Sequence, residues 1–193
     1  ELSLPRDPAR AAAVVLAGRR RTVALGEANG RAFALMAGVG FDAAVVANLS
    51  LALKRRLRQG AYALETLSQA FRFGFPRYRV VTAEGAVLEA RSVIACKAAR
   101  YGGPFTLARQ ASHDRPTLTL ALFQQGGPLA VLRFGLALVT GRVHRCRGVR
   151  LVETAAAEVE GPAGEPVQGD GDVIARLPLR LGVRPDALQV LVG

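Results

Sequence analysis

The spacing of apolar residues predicts helices in three parts of the chain. Leu4–Gly18 reads as a short helix, and Ala43–Phe73 has apolar positions at helical spacing with Asp42 as its expected N-cap. Gly60 is expected to divide this long stretch into two helices, because glycine costs about 1 kcal/mol in a helix interior. A further apolar helix is predicted over Leu129–Thr140.

The rest of the chain has the alternation and turn residues that are typical of short strands. Turns are predicted at Asn29-Gly30 and Glu84-Gly85, and Gly161–Gly171 is predicted to be a loop. The predicted strands are Thr22–Gly26, Arg31–Ala37, Tyr78–Thr82, Ala86–Ala95, Leu118–Phe123, Val143–Val152, Ala155–Glu160, Asp172–Leu177, Arg180–Val183 and Leu188–Val192. We therefore expect a mainly β fold with helical inserts (α+β), built on an antiparallel β-sandwich or barrel-like core.

Composition fits one folded domain of ordinary size. Of 193 residues, 50% are hydrophobic and 21% charged, which excludes an intrinsically disordered chain. Cys96 and Cys146 cannot form a disulfide framework or a zinc site, so a reducing, intracellular location is expected. No apolar signal segment opens the sequence. The apolar stretch Pro128–Thr140 is too short to span a bilayer and carries Arg133, so we expect a protein that does not cross a membrane, while peripheral association stays open.

The net charge of +11 permits several anionic partners without choosing among them. Phosphorylated substrates, an anionic membrane surface and nucleic acid are all compatible with it. The basic residues are mostly arginines spread along the chain, and there is no tryptophan for base stacking. A nucleic-acid-binding β domain would rest on charge alone, and we expect no nucleic-acid partner.

The most distinctive acidic element is Asp170-Gly171-Asp172. Two carboxylates so close together can raise one pKa, which suits a general base. The same residue types also favour a tight turn for purely conformational reasons. The local pattern leaves both interpretations open.

Five groups of motifs follow one another in an order that resembles a known family. They are Glu1–Pro8; Asn29–Phe33 with Gly38–Ala43; Leu53–Arg56 with Gly60–Tyr62; Tyr101–Gly103 with Ala111–Asp114; and Asp170–Asp172 with Pro178 and Pro185–Leu188. This order resembles the C-terminal part of the diacylglycerol kinase and sphingosine kinase-like lipid kinases, in its bacterial branch. The resemblance implies the β-sandwich-like C-terminal domain of the NAD kinase/diacylglycerol kinase-like fold.

The resemblance also implies a domain organisation and partners. The family's GGDGT nucleotide motif is missing, so residues 1–22 would lead out of an N-terminal nucleotide domain and residues 23–193 would form the lipid-kinase-like β domain. The full-length enzyme would use ATP and Mg²⁺ to phosphorylate a lipid hydroxyl such as that of diacylglycerol, and the isolated fragment would be inactive and bind no cofactor tightly. Expected partners are the lipid, the missing domain and, transiently, an anionic membrane surface. A homodimer is allowed, and the location would be cytoplasmic or peripheral at the inner membrane face.

Individual site residues are carried over from the resemblance. Asp172 stands where the family has a glutamate that deprotonates the lipid hydroxyl, and Asp170 matches the aspartate two residues before it. The aspartate at position 172 is shorter by about one methylene, which reduces its reach. A basic cluster is the candidate for lipid headgroup contact, with a solvated helical face as the alternative: Lys54, Arg55, Arg56 and Arg58.

A metal site of the family falls on the loop Ser112–Thr117. Arg115 stands where the relatives have an aspartate ligand, and an arginine cannot coordinate Mg²⁺. The expectation is therefore no metal, with the Arg115 guanidinium supplying the local positive charge. An alternative alignment would use Asp114 as the ligand.

A second function is also compatible with these motifs. The chain could be a non-catalytic lipid-binding or regulatory homologue whose base has been lost. The carboxylate at Asp172 discriminates between the two hypotheses, because only the kinase needs it for proton transfer.

Overall fold

The chain folds into two six-stranded sheets and one two-stranded ribbon. The computed structural model describes residue 5, residues 7–48 and residues 59–192, with side chains described outside 59–65. In this part the strands are β1 (Arg20–Ala28), β2 (Arg31–Phe33), β3 (Met36–Gly40), β4 (Tyr78–Thr82), β5 (Val87–Ala90), β6 (Ser92–Cys96), β7 (Arg100–Tyr101), β8 (Phe105–Thr106), β9 (Leu118–Phe123), β10 (Val149–Thr154), β11 (Ala157–Glu160), β12 (Pro166–Gly169), β13 (Asp172–Arg176) and β14 (Leu179–Leu191).

Every neighbouring pair of these strands is antiparallel. The first sheet has the order β2-β1-β14-β11-β4-β5, the second has the order β10-β9-β6-β3-β12-β13, and β7 pairs with β8. The predicted fold class is confirmed.

The helices lie where the apolar periodicity predicts them, with two corrections. They are α1 (Pro8–Ala17), α2 (Phe41–Asn48), α3 (Gln59–Arg72) and α4 (Pro128–Val139). Asp42 lies in the first turn of α2 and is not its N-cap, because the helix already begins at Phe41. Gly60 is not itself a helix break, because it lies in the first turn of α3, where the interior glycine penalty does not apply; the part of the stretch at residues 49–58 lies outside the described residues.

The main core lies between the two six-stranded sheets. Val80 and Val159 of the first sheet face Val93 and Leu120 of the second, and all four are almost completely buried. The apolar contact between these inner faces holds the sandwich together.

A second core covers the outer face of the second sheet. Ile94 and Cys96 of β6 point into it, together with Met36 of β3 and Leu107 of the loop that follows β8. Since Val93 and Ala95 point into the main core, β6 is buried on both faces. This double burial explains why β6 is a continuous apolar run without alternation.

Two predicted strands turn a corner and contribute to both sheets. Arg31–Ala37 divides into β2 and β3, with Ala34 and Leu35 between them. Ala86–Ala95 divides into β5 and β6 in the same way, at Arg91. The alternation of apolar and polar residues cannot reveal such a corner, because the two parts of the segment differ only in the strands with which they pair.

The C-terminal part corrects three further predictions. The two predicted last strands are one strand, β14, and it stays continuous because Pro185–Ala187 forms a bulge opposite Ala24, with Asp186 at a φ of 48°. The predicted loop Gly161–Gly171 contains β12, which pairs with β3 and β13. The predicted strand Val143–Val152 begins as a 3-10 turn over Val143–Arg145, and β10 starts only at Val149.

Asn29 ties the first hairpin to the segment that precedes β14. Its φ is 49°, as the Asn-Gly turn predicts. The side-chain amide donates to the carbonyls of Arg176 at 3.1 Å and Pro178 at 2.9 Å, and its oxygen accepts from the N–H of Arg180 at 2.7 Å. The turn residue therefore has a second, long-range role.

Replacing Asn29 tests this tie. Asn29→Ala should lower the free energy of unfolding by about 2–4 kcal/mol, because three hydrogen bonds are lost and alanine disfavours a positive φ. The control is Gln189→Ala, an exposed amide that accepts one bond from Arg20 at 3.3 Å, and it should change stability by about 0.5 kcal/mol or less. Urea denaturation measures both, and equal losses would contradict the role of Asn29.

Candidate functional site

The acidic turn joins β12 to β13 at the edge of the second sheet. Gly169 pairs with Asp172, so Asp170 and Gly171 form a two-residue loop. Their φ angles are 51° and 95°, both in the left-handed region that an Asp-Gly hairpin turn requires. The conformational role that the pattern allowed is therefore present, and it fixes the backbone on which both carboxylates stand.

The carboxylate of Asp170 binds the corner between β2 and β3. Its Oδ2 accepts a hydrogen bond from the N–H of Ala34 at 2.6 Å, and its Oδ1 accepts from Leu35 at 2.8 Å and Met36 at 3.0 Å. The N–H of Asp170 donates to the carbonyl of Met36 at 3.0 Å. Both carboxylate oxygens thus hold backbone in place, which assigns Asp170 a positioning role.

Asp172 is exposed at the start of β13, the edge strand of the second sheet. The rim position and the accessibility are what a base that meets a substrate from solvent needs. Among the surface cavities of the described residues are one lined by Tyr78 and Glu160 and one lined by Thr106 and His144, and Asp172 lines neither of these two. A base that receives a lipid hydroxyl is expected beside an apolar cleft, and neither of these two cavities is such a cleft at Asp172.

A buried polar chain leads from α2 to the acidic turn. The hydroxyl of Tyr101 donates to Oδ1 of Asp42, and Nε2 of Gln168 donates to Oδ2 of Asp42 at 2.6 Å. Oε1 of Gln168 in turn accepts from the N–H of Gly171 at 3.0 Å. These hydrogen bonds connect the buried carboxylate of Asp42, through Gln168, to the turn that carries Asp172.

The two glycines of the Gly38-Val39-Gly40 segment leave space for side chains that approach the backbone closely. A Cβ on Gly38 would lie 2.2 Å from Oδ2 of Asp42, so only glycine leaves space for that carboxylate. Gly40 has a φ of 89°, and a Cβ there would lie 2.9 Å from the Tyr78 ring. Burial raises the pKa of Asp42, and the hydrogen bonds from Tyr101 and Gln168 oppose that rise.

The Ser112–Thr117 loop is folded around a lysine. Lys97 is completely buried, and its Nζ donates to the carbonyl oxygens of Ser112 at 2.7 Å, Arg115 at 2.5 Å and Thr117 at 3.3 Å. Burial lowers the pKa of Lys97, and the charge of Asp114 partly offsets this. Three carbonyl acceptors match the three N–H donors of an ammonium group.

The other polar side chains of this loop point elsewhere. The Arg115 guanidinium contacts both carboxylate oxygens of Glu153 at 3.2 and 3.3 Å, so it does not supply the charge at the loop carbonyls, as we expected it to. Asp114 lies 3.7 Å from Nε of Arg21. The carbonyl oxygens that would coordinate Mg²⁺ already accept from Lys97, so the loop does not fit the ion. The described residues also contain no cluster of three or more metal-ligating side chains.

Comparison with known proteins identifies the family. Residues 35–192 match the model of the YegS C-terminal NAD kinase beta sandwich-like domain. The chain belongs to this family. The beta sandwich in the family's description agrees with the two six-stranded sheets found here.

Two relatives illustrate the similarity. A "Probable lipid kinase YegS-like" of Pseudomonas aeruginosa, strain PAO1, is 32% identical over 198 residues, which cover 97% of this chain and 61% of that protein. A crystal structure of a diacylglycerol kinase from Bacillus anthracis str. Sterne superposes with a TM-score of 0.74 at 18% identity, covering all of this chain and 64% of that one. The chain therefore spans less than two thirds of the curated relative's length.

The basic cluster cannot be placed against the site. Lys54, Arg55, Arg56 and Arg58 lie outside the described residues. Of the helices in the described part, none is long and apolar enough to cross a membrane.

The sequence did not predict the buried hydrogen bonds of Asp42 or the role of Lys97. Asp42 was expected only as a helix cap, while Tyr101 and Gln168 carried no expectation of a shared contact. One signal was present at Lys97, because it is a single charge that ends the apolar run of β6. A lone lysine there indicates either an exposed strand end or a buried ammonium with partners.

The two carboxylates of the turn should differ sharply in their effect on stability. Asp170→Ala removes the acceptor of three N–H groups and should lower the free energy of unfolding by about 2–4 kcal/mol. Asp172→Ala, two residues away and exposed, serves as the matched control and should cost about 0.5 kcal/mol or less. Urea denaturation compares them, and a large loss for Asp172→Ala would mean that it too is a structural residue.

Proposed function

We propose that this YegS-type domain is the substrate side of an ATP-dependent lipid kinase. Residues 23–193, together with Arg20–Thr22 at the start of β1, would form the lipid-binding domain, and the segment before β1 would connect it to a nucleotide-binding domain. The observation that carries the proposal is the exposed Asp172 carboxylate on a turn that is fixed from two sides, by Asp170 and by Gln168. The lipid-kinase names of the relatives support the reaction class.

The proposed reaction is phosphoryl transfer to a lipid hydroxyl such as that of diacylglycerol. Asp172 accepts the hydroxyl proton as the lipid oxygen bonds to the γ-phosphorus of ATP, and the bond between that phosphorus and the β,γ-bridging oxygen breaks to release ADP. Mg²⁺ bound with ATP in the nucleotide domain would neutralise phosphate charge. Asp170 and the Tyr101–Asp42–Gln168 chain hold the turn so that Asp172 stays in reach.

The surroundings of the proposed enzyme follow from its substrate. A membrane lipid must be met at a bilayer, so the domain would work peripherally at the cytoplasmic face. Each basic residue near an anionic surface contributes about 1 kcal/mol of attraction. By resemblance, this contact is assigned to the basic cluster, residues 54–58. The alternative function is a non-catalytic lipid-binding or regulatory homologue.

Activity of the full-length protein decides between these functions. Asp172→Asn should lower kcat for lipid phosphorylation about 10²–10⁴-fold, because the amide cannot accept the proton. Asp172→Glu should keep or raise kcat, because it restores the longer reach of the family's carboxylate. Asp186→Asn, an exposed change in the β14 bulge, is the control and should behave like the native protein.

A radiolabelled-ATP assay with diacylglycerol measures these rates. Equal lipid phosphorylation by the native protein and Asp172→Asn would exclude Asp172 as the base. Undetectable turnover in every form, together with retained lipid binding, would favour the non-catalytic homologue.

A further inference from the structure

A buried ammonium group occupies the place where the family resemblance leads one to expect a metal ion. Lys97 has no exposed surface, and its three donors all point at carbonyl oxygens of the Ser112–Thr117 loop. The loop itself has few regular backbone bonds, such as that from the N–H of Arg115 to the carbonyl of Ser112 at 3.4 Å. The Ser112 carbonyl thus accepts from Arg115 as well, and Lys97 is the donor that the carbonyls of Ser112, Arg115 and Thr117 share.

The position of Lys97 is fixed independently of the loop. It follows β6 directly, and its backbone N–H donates to the carbonyl of Leu35 at 2.8 Å. A buried cation is costly unless it is paired or fully hydrogen-bonded, and three carbonyl bonds satisfy that need. The arrangement is thus a complete cation site whose cation is part of the chain.

We propose that the Lys97 ammonium is the permanent cation of the Ser112–Thr117 loop and replaces the divalent ion that the resemblance implies there. This inference does not depend on the kinase proposal, because it concerns folding of the loop and needs no substrate.

The first test compares the native chain with and without divalent ions. Its Tm should be the same in EDTA as in millimolar Mg²⁺ or Ca²⁺. Hydrogen exchange of residues 107–117 should be unchanged as well. A rise in Tm with either ion, together with slower exchange of this segment, would overturn the proposal.

The second test removes one positive charge at a time from the same loop. Lys97→Met should lower Tm by about 5–10 °C and speed exchange at 107–117, because three carbonyls lose their donor. Arg115→Met is the matched control, since its guanidinium is about half exposed and pairs with Glu153 at the surface, and it should cost about 2 °C or less. Equal losses would contradict the proposal, and if Lys97→Met does not fold, the ion comparison on the native chain still decides.

A separate observation concerns α4, which is apolar on the face that looks into solvent. On its packed face Ala130 is buried, Leu138 lies against the second core, and Phe134 contacts the ring of Phe123. The opposite face carries the α4 stripe, whose exposures are 83%, 61%, 58% and 65% for Leu129, Leu132, Leu136 and Val139. A surface helix normally places polar residues there.

The charges next to the α4 stripe indicate what covers it. The segment that follows the helix exposes Arg142, Arg145 and Arg147 within six residues. The neighbouring α3 adds a further exposed apolar side chain, Phe71, at 72%. An apolar helix face beside clustered arginines has the chemistry of a helix that lies in the interface of an anionic bilayer.

On the basis of the proposed lipid substrate, we infer that the α4 stripe and these arginines dock the domain on an anionic bilayer. The segment is too short to span the membrane, so it would lie in the interface with its leucines among the acyl chains.

Vesicle binding by this chain tests the inferred surface. Phosphatidylcholine vesicles with phosphatidylglycerol should bind it more tightly than phosphatidylcholine alone, and Leu132→Glu with Leu136→Glu should weaken binding at least about tenfold. Val87→Glu is the matched control, because Val87 is 56% exposed on β5 of the first sheet, and it should bind like the native chain.

Each other occupant of the stripe has its own outcome. A self-association that the double variant abolishes, without vesicle binding by the native chain, would show a second copy instead of a bilayer. Vesicle binding by this chain but not by the full-length protein would show that another domain covers the stripe. Either result overturns the inference.

The kinase proposal is tested apart from docking by a short-chain diacylglycerol in solution. If the full-length double variant phosphorylates it normally but no longer binds vesicles, both proposals are supported. Docking without any phosphorylation by the native protein would leave the surface in place and contradict the kinase.

Discussion

The corner at Ala34 and Leu35 is the constraint on which the site depends. Here the chain leaves the first sheet for the second, so its backbone groups cannot pair in a ladder and need other partners. Asp170 accepts from the N–H groups, and the carbonyl of Leu35 accepts from the N–H groups of Lys97 and Ala98 at 2.8 and 3.1 Å. The corner, the acidic turn and the Lys97–Ala98 backbone are therefore joined in one hydrogen-bonded unit.

This unit explains why the carboxylates of Asp170 and Asp172, two positions apart, are suited to different roles. Asp170 accepts three backbone bonds, and a proton taken from a substrate would compete with them. Asp172 stands on the same turn at the same sheet edge, and both residues are exposed, so what sets Asp170 apart is its three backbone hydrogen bonds. A hairpin of two residues, both with positive φ, leaves little freedom for the backbone to move Asp172 toward a substrate. In the proposed reaction, the position of the bound lipid would therefore have to compensate for the methylene that Asp172 lacks relative to glutamate.

Local chemistry predicts some elements of this fold, and long-range contacts decide the rest. The strand Leu118–Phe123, the helix α4 and the Asn29-Gly30 hairpin follow from propensity and turn residues that act within a few positions. The corners and β12 depend on which strand pairs with which, and neither is encoded in alternation. The acidic turn could be found because both carboxylates stand within three residues. The contacts of Asp42 with Tyr101 and Gln168 join residues 59 and 126 positions apart, and no local pattern predicts them.

Asp170 and Lys97 carry opposite charges and bind the corner in different ways. The Asp170 anion binds its N–H groups directly, whereas Lys97 binds the Leu35 carbonyl through its backbone and extends its ammonium into the neighbouring loop. A covalently attached cation cannot exchange with solvent, so the loop geometry is set at folding and does not follow the concentration of free metal. It also joins that loop to β6, and through the corner to the acidic turn. Burying the ammonium is costly, and the donors of this one side chain offset that cost by fixing a loop with few ladder bonds of its own. The exposed Asp170 anion and the buried Lys97 ammonium, each through its hydrogen bonds to backbone, therefore organise this edge of the sandwich together with the apolar core.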